Sequence, residues 1–413
     1  MRKIIALLLA LTLVLALTGC GGSQKSGEPA PTAPATDAPV QTDRAEAEKT
    51  ETAGEPEAAP ESGPAPEIPG LTYVSAMEKR YAVQFDVYYY EGGYKYLAIG
   101  DGNNYLIVPE GKEAPAGLDS SVRVLQQPLD RIYLAATACM SLFDAMDSLD
   151  VISLTSLNAS EWTVENAAAA MERGEILFGG KYSEPDYELF VDTDVDIAIE
   201  NTMILHTPKV IDMIELLGVP VFIEYSSYEP HPLGRTEWMK LFAAMINREE
   251  QAEAVFNEKV KIMDAIEQFP KTDKTVAVFL IDTSGKAQVR SSDDYLSRII
   301  EIAGGNNAFT YVTVEDSGRT NVNMTMEEFY ATAVDVDYLI YNASGYSAGV
   351  DTLEKLLEKS DLLADCKAVK EGNIWWIGGE TYQQADKISD LIADVHRMLT
   401  GEEGNMTFLH KYE

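Results

Sequence analysis

The side chains best equipped for chemistry in these 413 residues are two arginines, Arg235 and Arg290, two histidines, His206 and His231, and the rings of Trp162, Tyr182, Tyr228, Tyr346 and Tyr382. A guanidinium grips a carboxylate or phosphate through two parallel N–H bonds, so both arginines suit an anionic group. Arg235 has a second reading, as a cap on its own loop through Glu229 or Glu237. The rings offer flat apolar faces with a polar tip, as a bulky conjugated molecule needs, or else they pack between loops. A bare zinc or manganese ion takes three or four histidine or carboxylate donors at one point, and two histidines on separate stretches fall short of that. One of them could still meet the iron or cobalt of a tetrapyrrole axially, or both could be satisfied within their own loops. Catalytic patterns are missing from the sequence. It has no Gly-x-Ser-x-Gly elbow, no phosphate-binding P-loop and no Cys-x-x-Cys pair, and no two carboxylates stand out as an acid and a base. We assign no catalytic residue, no metal-ligand set and no intrinsic cofactor, and read the chain as a binder rather than an enzyme.

Those residues need a scaffold, and the hydrophobic rhythm describes one. Apolar strands at 131–136, 151–154, 197–200 and 221–225 alternate with amphipathic helices at 140–149, 164–173 and 208–217. The rhythm returns with strands at 275–281, 338–342 and 374–377 and helices at 295–303, 326–333, 353–359 and 388–399. Strands alternating with helices predict two α/β lobes, each a parallel sheet covered on both faces. Between them, 237–269 reads as helix in two pieces. Trp238, Leu241, Phe242, Met245 and Ile246 share one face of the first, and Ala252, Phe256, Val260 and Met263 one face of the second. The second piece opens on Glu249 and Glu250, stops at Pro270, and is long enough, at roughly 30 Å, to span two small lobes. In open α/β sheets ligands bind beyond the carboxyl ends of the strands. That rule selects 136–138, 155–162, 201–206 and 225–235 in the first lobe and 282–291, 342–346 and 378–383 in the second. Of the arginines, histidines and rings named at the outset, all but Tyr182 fall in one of these loops.

Ahead of the lobes, alternating aromatic and β-branched residues at 83–90, 94–99 and 105–108, separated by Glu91-Gly92-Gly93 and Asp101-Gly102-Asn103, predict three antiparallel strands. The tyrosines of this meander read as sheet packing. Arg2 and Lys3, followed by an apolar run over 4–17, form an export signal too short for an ordinary membrane span. The signal ends in Leu17-Thr18-Gly19-Cys20, which resembles a bacterial lipobox; the resemblance implies cleavage before Cys20 and a lipid on its sulfur. Residues 21–69 are rich in Pro, Ala, Thr and Glu and carry almost no large apolar side chain, so they read as a disordered tether with a reach of about 40 Å. The net charge of −35, from 67 acidic against 32 basic residues, leaves no basic face for nucleic acid. Cys139 and Cys366 lie in different halves and read as separate buried thiols. The expected division is 1–19 signal, 20–69 tether, 70–121 meander, 122–247 first lobe, 248–270 interlobe helix and 271–413 second lobe.

Several short motifs occur in a telling order. Leu217-Gly218-Val219-Pro220-Val221, the Asp-x-Asp strand starts at 194–199 and 335–340, and Ala303-Gly304-Gly305-Asn306 ending a helix resemble solute-binding proteins of the cobalamin and iron-siderophore class of ABC importers. The stretch 225–238, through Ser226, Tyr228, His231 and Arg235, is similar to a branch of that family in anaerobic bacteria. The similarity covers roughly 122–399. It implies two Rossmann-like lobes joined by a single long interdomain helix, with a ferric siderophore, haem or cobalamin in the cleft between them. It also implies a monomer on the outer side of the cell membrane, delivering its cargo to the transmembrane subunits of an ABC permease. Receptors of this family present one glutamate from each lobe to the permease; Glu188 and Glu327 match that placement, with Glu328 a competitor. Alternatives from other classes are a surface-anchored enzyme acting on a chelate or tetrapyrrole, and a sensory or adhesive module with no permease.

Overall fold

The computed structural model describes residues 61–313, 321–344 and 347–413. Cys20, most of the tether and Tyr346 lie outside the described residues. The N-terminal sheet has five strands, β1 Tyr73–Ala76, β2 Phe85–Tyr90, β3 Lys95–Ile99, β4 Asn104–Val108 and β5 Val122–Gln126, side by side in that order. β1 to β4 are antiparallel and β5 runs parallel to β4. Gly92 and Gly93 turn the chain between β2 and β3 at φ 82° and 85°, where any side chain would be strained. The sequence rhythm puts the first lobe's start at residue 122. Instead the 122–126 backbone pairs with β4, and Leu125 joins Tyr105 and Ile107 in one buried layer, so β5 completes the N-terminal sheet.

The other face of that sheet is covered by the chain that leads into it. Ile68 is buried among Tyr88, Tyr90, Tyr96, Leu106 and Val108. Tyr88 Oη donates to the Gly63 carbonyl at 3.2 Å and Tyr90 Oη to the Pro66 carbonyl. The tether expected to run to residue 69 therefore gives way to docked chain by residue 61. A proline-rich backbone has few N–H donors of its own and exposes its carbonyls, which tyrosine hydroxyls satisfy.

The chain then runs β6 Ile132–Leu134, α1 Met140–Ala145, β7 Ile152–Thr155, α2 Glu165–Glu172, β8 Leu177–Phe178, a hairpin of β9 Gly180–Lys181 and β10 Glu184–Pro185, α3 Tyr187–Thr193, β11 Ile197–Asn201, α4 Pro208–Leu216 and β12 Val221–Glu224. The resulting sheet, ordered β12-β11-β6-β7-β8, is parallel throughout. α1 is shorter than its apolar pattern suggests, because Asp147 turns left-handed at φ 53°.

Two helices follow, α5 Pro232–Ile246 and α6 Glu249–Glu267, separated by Asn247 at φ 58°. Every residue of α5 except Ile246 is buried, with Trp238 packed against Phe85, Phe222 and Phe242. α6 is amphipathic and buries Ala252, Phe256, Val260, Met263 and Ile266.

The remaining elements are β13 Thr275–Ile281, β14 Ala287–Arg290, α7 Tyr295–Ile302, β15 Asn306–Asn307, β16 Asn321–Met324, α8 Met326–Ala333, β17 Tyr338–Asn342, α9 Leu353–Lys359, α10 Lys367–Lys370, β18 Ile374–Ile377, α11 Glu380–Gln383, α12 Ile388–Thr400 and β19 Leu409–Lys411. β13, β17 and β18 are parallel, as expected. β14, β16 and β19 are antiparallel additions, so this sheet is mixed. A tight turn folds β14 back on β13: the Asp282 carboxylate accepts from Ser284 N at 2.8 Å and Lys286 N at 3.0 Å, and no crossover helix is needed. The two Asp-x-Asp motifs do matching work at the strand starts. Asp196 accepts from Arg131 N at 3.0 Å, and Asp337 from Thr275 N at 2.9 Å, each tying its strand to a parallel neighbour.

Candidate ligand-binding site

The parallel order of the first α/β sheet sets the loops after β12, β11, β6, β7 and β8 in a row along one edge, and these carry most of the candidate residues. Tyr228, on the turn Ser226–Tyr228, is 39 % exposed and lies 5.7 Å from the Tyr225 ring. His206 ends the turn Thr202–His206 and is exposed. Trp162 follows the turn Ala159–Glu161 and is 7 % exposed, its Nε1 without a hydrogen-bond partner among the described residues. Tyr182 is half-buried at the β9–β10 hairpin and packs on the core beneath α3 and α4.

From the second sheet, Arg290 Nη2 donates to Tyr382 Oη at 2.9 Å, and Asn342 Nδ2 donates to the same oxygen at 2.8 Å. Asp294 lies 3.6 Å from Arg290. Arg235, near the start of α5, reaches across to this group, its Cζ 4.2 Å from the centre of the Tyr295 ring on α7. Arg235, Arg290, Tyr295 and Tyr382 therefore form one cluster where α5 meets the second sheet's loops. At its edge Gln383 straps the two halves together. Its Oε1 accepts from Thr163 N at 2.7 Å, and its Nε2 donates to the Glu161 carbonyl at 2.9 Å.

The structure decides the alternatives left open for the 225–235 stretch. Glu229 accepts from Val83 N at 2.8 Å, Gln84 N at 3.0 Å and Trp238 Nε1 at 2.8 Å. Glu237 accepts from Arg80 N at 2.7 Å, Tyr81 N at 2.7 Å and Ala82 N at 2.8 Å. Both carboxylates satisfy the amides of 80–84, so Arg235 is not their partner. His231 departs from the expected cleft role. Its Nδ1 caps α5 by accepting from Leu233 N at 3.1 Å, and its ring stacks on Tyr81 at 4.1 Å. Burial first, then Arg298 and Arg80, pull its pKa down to about 4. No group of three or more His, Cys, Asp or Glu suited to a metal ion occurs among the described residues. Cys139 and Cys366 are free and buried, as expected.

Sequence reasoning passed over Glu224 and Tyr295, and it selected Asn342 only as the start of the 342–346 loop. Glu224 is buried at the end of β12, where its carboxylate accepts from Ser226 N at 2.7 Å, and burial raises its pKa. An acid inside the apolar run 221–225 was the available signal. Tyr295 carries no such mark, since its position at a helix start looks like any other.

Residues 160–381 match the sequence profile of the periplasmic binding protein family. That span is more than half the chain, and the chain belongs to this family of binding proteins, which are not enzymes. An uncharacterized lipoprotein of Methanocaldococcus jannaschii is 27% identical over 352 residues, covering 80% of this chain and 86% of that protein. The fold is similar to that of a periplasmic heme binding protein from Pseudomonas aeruginosa, with a TM-score of 0.52 at 15% identity over 69% of this chain and 98% of that one. It is also similar to the triscatecholate siderophore binding protein from Bacillus subtilis complexed with ferri-bacillibactin, with a TM-score of 0.51 at 16% identity over 67% of this chain and 94% of that one. The N-terminal sheet, β1 to β5, lies outside the matched span.

Proposed function

We propose that this chain is an extracytoplasmic, lipid-anchored receptor that captures a metal chelate between two α/β lobes and delivers it to an ABC permease. The observation that carries the reading is the cluster in which Arg235, from the helix after β12, meets Tyr295, Arg290 and Tyr382 of the second sheet's side. Side chains from both halves thus meet beyond the strand ends, where open α/β sheets take their ligands. Family membership and the likeness to proteins that bind haem and a triscatecholate siderophore support a chelate as cargo. In this reading Trp162, Tyr182, His206, Tyr228 and Tyr346 supply the walls, Tyr382 and the two arginines supply polar contacts, and His231 stays with the scaffold. α5 and α6 form the connection about which the lobes close. A lipid on Cys20 holds the chain at the membrane, as the lipoprotein relative supports, and the acidic stretch after it spaces the receptor from the bilayer. The receptor works as a monomer, and Glu188 and Glu327 dock it on the permease.

The test is direct titration of the full-length protein in detergent with haem, cobalamin and a ferric tris-catecholate, followed by absorbance and tryptophan quenching. Capture of at least one with a Kd of about 1 μM or tighter is expected. Failure to bind any of the three overturns the reading.

A further inference from the structure

The two halves also meet along a seam next to Trp162 and Tyr382, where residues 383–387 lie against α1 and the start of α2. Beside the Gln383 strap, Gln384 Nε2 donates to the Thr163 carbonyl at 3.2 Å, and Thr236 Oγ1 donates to the Ala385 carbonyl at 2.6 Å. The seam is nevertheless not filled. A cavity of about 210 Å³ remains, its walls including Ser141, residues 163–166, Asp386 and Lys387. Both sides of it carry unmet hydrogen-bonding capacity. No side chain caps α2, and the amides of Glu165 and Asn166 find no acceptor among the described residues. Across the seam Asp386 is 7 % exposed, and its Oδ1 has no hydrogen-bond partner among the described residues. Its own amide is placed by Ser141, donating to Oγ at 3.4 Å. Burial raises the Asp386 pKa; Lys259, Ser141 and Lys387 oppose that only in part, and Asp390 adds to it. A helix start is the positive end of the helix dipole and leaves its first amides unpaired, and one carboxylate can answer both.

We propose that Asp386 is a positioning residue for ligand capture: when a bound chelate draws the two halves together, the seam cavity closes and the Asp386 carboxylate caps α2 through the Glu165 and Asn166 amides. This rests on the capture reading above. Trp162 directly precedes Thr163, and Tyr382 directly precedes Gln383, so a ligand that touches either ring pulls on the seam itself. The ligand-free protein keeps a buried acid and an open helix start apart, and closure satisfies the two together. Capping free energy that appears only in the closed arrangement is free energy added to ligand binding.

Full-length protein in detergent is titrated with a ferric tris-catecholate, haem and cobalamin, and the variants with those that wild type binds. Asp386→Ala removes the cap, so the ligand should bind roughly tenfold more weakly, mainly through faster release, while the Tm of the ligand-free protein stays level or rises. Asp386→Asn keeps a good capping acceptor and should recover most of the affinity. Hydrogen exchange reads the cap directly: the amides of 165–166 should gain protection when wild type takes up ligand, and not when Asp386→Ala does. Ligand binding that leaves those amides exchanging as before overturns the proposal, with the capture reading still standing. A lower ligand-free Tm in Asp386→Ala, with affinity unchanged, shows an acid that serves only the structure of the seam and also overturns it. Wild type that binds none of the three probes overturns the capture reading, and the cap falls with it.

Discussion

Residue chemistry in this protein turns on which polar groups the fold consumes and which it leaves. Glu229 and Glu237 look from the sequence like partners for Arg235, and each instead neutralises a row of backbone amides from 80–84. That segment pairs with no strand, so its buried N–H groups need acceptors, and a carboxylate can serve several at once. His231 is consumed in the same way, by its cap and by Tyr81. Its pKa is lowered from 6.5 to about 4, so the folded state excludes a proton that the unfolded chain takes up. The associated stability is complete well above pH 6.5 and is lost as pH falls toward 4, a change on the order of 3 kcal/mol. His231→Asn, which keeps a good capping side chain, should lower stability at neutral pH by about 1 kcal/mol and flatten the decline between pH 6.5 and 4. Urea denaturation at a series of pH values checks this; an unchanged acid slope would assign the decline to other groups.

At the scale of elements, the N-terminal sheet is fastened from both sides. One face shares a core with α5 through Phe85 and Trp238, and the other is roofed by residues 61–71. A protein starting at Glu67 keeps Ile68 but loses the Gly63 and Pro66 carbonyls that Tyr88 and Tyr90 use. It should still melt in a single cooperative transition, about 1 to 3 kcal/mol less stable than one starting at Glu61. Differential scanning calorimetry of the pair decides the point, and loss of cooperativity would make the roof essential to folding. β5 shows why the border at residue 122 was misplaced. Its sequence suits either sheet, and only pairing with β4 distinguishes the two.

For the molecule as a whole, the two halves place matching acids at matching helix starts. Glu188 is the second residue of α3, capped by Asp186, and Glu327 is the second residue of α8, capped by Thr325. Both are exposed. Glu328 is occupied, its carboxylate accepting from Thr325 N at 2.8 Å, which favours Glu327 over its neighbour as the docking group. If both halves engage the permease at once, Glu188→Lys and Glu327→Lys should each cut uptake at least about tenfold while leaving ligand affinity as in wild type. Uptake of a radiolabelled ferric chelate in cells reads the outcome, and normal transport by the double variant would limit both acids to their own helices.

The periodicity of apolar residues was enough to locate the parallel strands β6, β7, β11, β12, β13, β17 and β18 and the pair α5 and α6, because burial on one face or both writes a local pattern into the chain. The strand-end rule likewise pointed to Arg235, Arg290 and Tyr382 before their contacts were known. The antiparallel strands β16 and β19 were missed, since short edge strands bury little and their pairing partners are distant in sequence; β14, inside the sheet and joined to β13 by a tight turn, was missed as a four-residue run with only Ala287 and Val289 buried. Which of several plausible partners each charge takes was also beyond local reading. Arg235 has two carboxylates within a turn or two of chain, yet the tertiary structure gives both to 80–84 and leaves the guanidinium against Tyr295. Spacing along the chain limits what can meet, whereas competition among buried donors for few acceptors is settled only when distant segments pack together.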